Sequence, residues 1–192
     1  WTKDEIESLE FAAILHDIGK INIPISALYK TSELSDEEWE MIKTHPLTSV
    51  SILEGIPFLL ASIPIIRYHH ECWDGSGYPE GLAGEEIPEG ARILGLADTL
   101  VALTSNRPYR DALSCREARA IVDGQSGKKF DPQIIEALHA CWEKISIQLQ
   151  PDRFSSLVSN TVNVMSDQEL SALLRGEKVI ELDQKREEDG HD

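Results

Sequence analysis

Apolar positions along this 192-residue chain recur at helical rather than strand spacing. Ile6, Leu9, Ala13 and His16 share one predicted stripe, and Trp39, Ile42 and His45 a second. Ile134, Leu138, Cys141 and Ile145 form a third. Start signals precede the stripes. Thr2 with Glu5, Ser35 with Glu38, Ser114 with Glu117 and Ser166 with Glu169 each have capping-box spacing. Asp131-Pro132 pairs an N-cap with proline at the first helical position. The segment Ile93–Leu103 is apolar nearly all round, which predicts a buried helix. Alternating strands and internal repeats are not evident, so the pattern predicts an all-α fold.

Gly, Pro and Asn mark loops at Ile21–Leu34, Trp73–Pro88 and Ser105–Ala112. Past Gln150 the pattern weakens to a short helix, Asp167–Arg175, and a charged tail. The expected organisation is one domain over 1–150 and a C-terminal extension over 151–192. A chain of this size can bury one core. No apolar run is long enough for a membrane span and no signal peptide opens the chain, which begins at Trp1 like a fragment of a longer protein. Cys72, Cys115 and Cys141 lack metal-type spacing and leave an odd thiol, which predicts a reducing, cytoplasmic setting.

Charge narrows the function. With 34 acidic and 18 basic residues, the net charge of −16 excludes a general DNA binder, which needs a basic footprint. An anionic substrate would also be repelled unless metals and a few cations reverse the local field. Lys20, Arg67, Arg92, Arg107 and Arg110 are placed for that.

The candidate chemistry lies in histidines and carboxylates. His16-Asp17 alone reads as a hydrogen-bonded core pair. His45, His69 and His70 change that reading, because four of the six histidines are then aimed at one interior. Asp98 sits in the apolar Ile93–Leu103 helix, where a lone carboxylate needs a partner or a cation. Six ligands exceed what one open metal needs and suit two, with Asp17 as the natural bridge. Two-metal sites clamp a phosphodiester and acidify a water held between the ions. Lys20, three residues after Asp17, is placed to neutralise a phosphoryl oxygen. The turn Asp74–Pro79 carries Tyr78, suited to stacking on a base or bonding a phosphate. Arg107 and Arg110 suit phosphate or guanine edges.

His16-Asp17-Ile18-Gly19-Lys20, His45, His69-His70-Glu71 with Asp74–Pro79, Asp98 and Arg107–Arg110 resemble the HD-GYP subgroup of the HD phosphohydrolases. The likeness runs from about Ile6 to Ile145. It implies an HD-type helical bundle and a metal-dependent phosphodiesterase that hydrolyses cyclic di-GMP to pGpG or GMP in bacterial signalling. It implies two divalent iron or manganese ions, or three in the full-length protein. His16, Asp17, His45, His69, His70 and Asp98 are the ligands it implies, with Asp17 and Lys20 catalytic and Lys20, Tyr78, Arg107 and Arg110 touching substrate. Implied partners are an N-terminal sensory or receiver domain and diguanylate cyclase-type proteins. The chain departs from the family in lacking the helix that usually precedes the His-Asp pair, and in Val101 and Glu89, where Asp and an apolar residue are common. Two other readings compete: an incomplete module that binds nucleotide or a signalling partner, and a hydrolase of another phosphoester.

Overall fold

The computed structural model describes residues 1–28, 30, 35–106 and 111–149. Arg107–Arg110, the Ser166–Glu169 box and the Asp167–Arg175 helix lie outside the described residues. Within them the α-helices are α1 (Lys3–Leu15), α2 (Ile25–Leu28), α3 (Asp36–Lys43), α4 (His45–Leu53), α5 (Ile63–Tyr68), α6 (Glu89–Thr104), α7 (Cys115–Asp123) and α8 (Pro132–Gln148). Short 3-10 turns cover Ile18–Asn22, Pro57–Leu59 and Gly84–Glu86. Among the described residues β-pairing is limited to isolated bridges, Asp74 with Ala83 and Ser126 with Phe130. The all-α expectation holds.

The start signals act as expected. The Thr2 hydroxyl accepts from the Glu5 amide at 3.3 Å and the Glu5 carboxylate accepts from the Thr2 amide at 2.7 Å, which opens α1. Ser35 and Glu38 open α3 in the same way, and Ser114 and Glu117 open α7. Asp131 accepts from the Gln133 amide at 2.8 Å and sets the start of α8. These caps satisfy amides that have no partner inside the helix.

Two apolar clusters hold the helices together. Ala12, Val50, Leu53, Leu59, Ile65, Ile66 and Leu94 join α1, α4, α5 and α6. Leu96, Leu100, Ala118, Val122, Phe130, Ile135 and Leu138 join α6, α7 and α8. Helix α6 therefore serves both clusters, from opposite sides of its surface.

Four expectations need correction. Helix α6 is not buried all round: Ala97 is exposed and Val101 is 39% exposed, because two faces are packed and the third is left open. The α1 stripe is displaced. Ala12 is its fully buried residue, whereas Ile6 and Ala13 are exposed. Among the histidines His45 departs from its expected stripe, since it opens a new helix instead of ending α3. His16 and His69 are the residues that cap the C-termini of α1 and α5, and His45 begins α4 just after α3. The expected loops are partly structured, with α2 inside 21–34 and a 3-10 turn inside 73–88.

Candidate metal centre

Helix C-termini expose carbonyls that lack an amide partner, and three of the histidines use them. The Nδ1 of His16 lies 2.9 Å from the Ala13 carbonyl. The Nδ1 of His45 lies 2.7 Å from Ile42 O, and that of His69 2.7 Å from Ile66 O. A carbonyl only accepts, so each Nδ1 carries the proton and donates it. In the neutral ring each Nε2 is then left with a bare lone pair, the atom a metal takes.

The bare nitrogens converge. The rings of His16 and His69 are 5.0 Å apart, those of His45 and His69 5.5 Å, and those of His69 and His70 4.0 Å. His45 Nε2 approaches His70 Nε2 to 3.2 Å and Asp17 Oδ1 to 3.3 Å. His16 Nε2 stands 3.5 Å from Asp17 Oδ2 and 3.9 Å from Asp98 Oδ1. Two ligand groups result, His45–His69–His70 and His16–Asp17–His69, and each keeps its donor atoms within 4.8 Å. His16 Nε2, Asp17 Oδ1 and His69 Nε2 are buried without a hydrogen-bond partner among the described residues. Buried polar atoms are normally satisfied. Orphaned lone pairs of imidazole and carboxylate facing one space fit divalent transition metals.

Electrostatics agree with neutral imidazoles. Burial pushes His45 and His70 below the ordinary histidine range, and His69 down to about 3. For Asp17 burial acts upward, but its carboxyl is held low, chiefly by the hydrogen bond and charge of Lys20. Lys20 Nζ donates to Asp17 Oδ2 at 2.6 Å from within the 3-10 turn that follows. Asp98 reaches the cluster from α6, but 34% of its side chain stays exposed. It is a partly solvated ligand candidate rather than the buried carboxylate that the sequence predicts.

Backbone fit brings these side chains together. A Cβ at Gly19 would lie 2.2 Å from the His45 carbonyl, and one at Gly95 would lie 2.5 Å from the His69 carbonyl. Only glycine lets the chain pass that close. Between them, buried Ser49 accepts from the Gly19 amide at 2.9 Å and donates to the His16 carbonyl at 2.7 Å. No sequence motif pointed to Ser49.

Tyr78 stacks on His70 at 4.8 Å with 27° between the rings, and the Tyr78-Pro79 bond is cis. Burial, then the charges of Asp17 and Asp98, raises the Tyr78 hydroxyl above its usual range, so it remains a donor. Two cations expected near the site are otherwise engaged, Arg67 with Glu80 at 2.5 Å and Arg92 with buried Asp131 at 2.5 Å. Arg107 and Arg110 lie outside the described residues. Lys129, missed in the sequence, bonds Thr99 Oγ1 at 3.1 Å beside Asp98, and its charge reaches His70. Its spacing from every motif hid it.

The family model of the HD domain matches residues 1–134, and the chain belongs to that family. Its motifs and relatives place it in the HD-GYP group. The cyclic di-GMP phosphodiesterase response regulator RpfG of Xanthomonas campestris is 43% identical over 139 residues, covering 71% of this chain and 37% of that protein. The 3'3'-cGAMP-specific phosphodiesterase 2 of Vibrio cholerae is 36% identical over 144 residues, covering 74% of this chain and 28% of that protein. The chain thus spans about a third of the length of these relatives. A crystal structure of a cyclic GMP-AMP specific phosphodiesterase of V. cholerae, V-cGAP3, shares the fold. Its TM-score is 0.55 at 22% identity, over 82% of this chain and 41% of that one.

Proposed function

We propose that the chain carries the catalytic domain of a metal-dependent phosphodiesterase, which hydrolyses cyclic di-GMP to pGpG or GMP in bacterial signalling in the cytoplasm. One observation carries the reading. Three imidazoles, each fixed by a main-chain carbonyl, turn bare nitrogens toward the same space as the orphaned Asp17 oxygen. His16, Asp17, His45, His69, His70 and Asp98 would hold two iron or manganese ions. Such ions supply Lewis acidity to a phosphoryl oxygen and acidify a water.

The chain's own side chains do the rest. Asp17, held ionised beside Lys20, orients the attacking water opposite the scissile P–O3′ bond. As the water oxygen bonds to phosphorus and the P–O3′ bond breaks, charge builds on the phosphoryl oxygens. Lys20 Nζ is placed to offset it. The attacking water gives up one proton and the departing 3′ oxygen takes one up, so each cleavage adds the elements of one water. Tyr78 presents a ring edge and a protonated hydroxyl to the nucleotide, and Arg107 and Arg110 suit its phosphates or guanine edges. The relative named for cyclic di-GMP shares more of the sequence than the one named for 3'3'-cGAMP, 43% against 36%. That supports cyclic di-GMP as the substrate. The domain would span 1–150 and receive its input from a sensory or receiver domain elsewhere in a longer protein.

Turnover of cyclic di-GMP and of 3'3'-cGAMP by the anaerobically metal-loaded chain, read by chromatography, tests this. The expected result is hydrolysis of cyclic di-GMP that falls at least 100-fold in His69→Ala. Preference for 3'3'-cGAMP would overturn the substrate, and binding without turnover would make the chain a nucleotide-binding module.

A further inference from the structure

Glu71 follows the two histidines directly and is 7% exposed. It is not one of the ligand groups. Its Oε1 instead accepts from two backbone amides of the following loop, Glu80 at 2.8 Å and Gly81 at 3.0 Å. That oxygen is spent on fixing backbone, while Oε2 is buried without a hydrogen-bond partner among the described residues. Other contacts close the same seam. The Tyr78 amide donates to the His70 carbonyl at 3.3 Å. A Cβ at Gly77 would fall 2.3 Å from the Cys72 nitrogen and 2.4 Å from Glu71 Cα, so the loop backbone rests directly on the histidine turn. From α5, Arg67 and Tyr68 hold the Glu80 carboxylate at 2.5 and 3.3 Å. The outcome of this stitching is the Tyr78 ring lying on His70.

We propose that Glu71 is a positioning residue: it ties the Ser76–Gly81 segment to the His69–His70 turn and so fixes Tyr78 over the metal-capable cluster. Its kinetic consequences rest on the phosphodiesterase reading; its structural consequence does not. The role needs an acceptor oxygen at the end of a side chain of glutamate length. Gln keeps that oxygen and Ala removes it.

Amide hydrogen exchange over 76–81 is the direct readout, measured on the full chain with bound metal and steady-state kinetics in parallel. In Glu71→Ala, exchange at Glu80 and Gly81 rises at least tenfold and metal content is unchanged. KM for cyclic di-GMP rises about tenfold while kcat stays within threefold. Glu71→Gln retains protection and stays within threefold of the parent in both constants. Gly77→Ala lifts the loop from the other side and reproduces the exchange and KM changes with Glu71 intact. A merely structural role would lower the thermal midpoint and leave KM unmoved. A folded Glu71→Ala with unchanged exchange overturns the proposal. So does a Glu71→Gln that keeps its loop protected and loses kcat, which would place the carboxylate in the chemistry. If Glu71→Ala does not fold, Gly77→Ala decides, and unchanged exchange and KM there refute the role. Should the parent chain hydrolyse no cyclic dinucleotide, the functional reading fails and the exchange comparison still judges Glu71.

Discussion

Ser49 is the side chain whose removal separates packing from site support most cleanly. Its hydroxyl satisfies the Gly19 amide and the His16 carbonyl at once, at full burial. Ser49→Ala leaves both groups unpaired, which costs about 1–3 kcal/mol. A urea titration should show that loss, together with weaker metal binding, since the residues flanking Asp17 lose their tie to α4. The imidazoles give a pH prediction. Unfolding returns His45, His69 and His70 to the ordinary histidine pKa of about 6.5. Below that pH the unfolded chain binds protons that the native, metal-free chain refuses. Stability is therefore fullest above about pH 6.5 and is lost progressively as pH falls, with His69 titrating at about 3 and His70 lower still. The slope reaches about 1.4 kcal/mol per pH unit for each histidine. Equal urea midpoints at pH 7.5 and pH 5 would refute neutral, buried rings. At this scale residue type and spacing named the five residues that the two ligand groups bring together, while Asp98 approaches only His16. Ser49 and Lys129 were illegible, since each matters only through a contact 30 residues away along the chain.

Helices α1, α3 and α5 end where the site begins, and α6 crosses behind it. Gly95 of α6 shows how close the crossing is. Alanine has the higher helix propensity by about 1 kcal/mol, yet its Cβ would sit 2.5 Å from the His69 carbonyl. The obstacle is backbone and cannot rotate away, so the clash outweighs the propensity. Gly95→Ala should destabilise by about 1–3 kcal/mol and loosen metal binding at His69, both readable by urea titration with and without manganese. An exposed glycine with open space around it, Gly55, is the control and should change little. Element starts were the most legible feature, because Ser, Thr and Asp caps are local chemistry. Element faces were less so. The α1 stripe was misjudged by one position at Ala13 and the open face of α6 was missed, since which face is packed depends on partners remote in sequence.

For the molecule as a whole, the proposed metal site would make folding and metal binding one equilibrium. The ligand candidates come from segments as distant as His16 and His70, so the unfolded chain would hold no such site. Manganese at a hundredfold excess over its Kd should stabilise the fold by about 2.7 kcal/mol. A chelator should reverse the gain, and His69→Ala should abolish most of it; a thermal midpoint indifferent to metal would refute the linkage. A chain ending after Leu149 should keep the metal-linked transition, because both apolar clusters lie within that span. Its failure to fold would refute the expected division near residue 150. Among the described residues, no helix is long and apolar enough to cross a membrane.

The main-chain carbonyls behind His16, His45 and His69 have a consequence for how such a site drifts over generations. A side-chain partner can be lost by a single codon change; a carbonyl belongs to every residue. Ala13 and Ile42 can therefore be exchanged for other helix-compatible residues, and fully buried Ile66 for apolar ones that fill the same space, while each ring keeps its tautomer and aim. The proton arrangement is inherited through the shape of three helix ends, and it should persist where the letters at those positions do not.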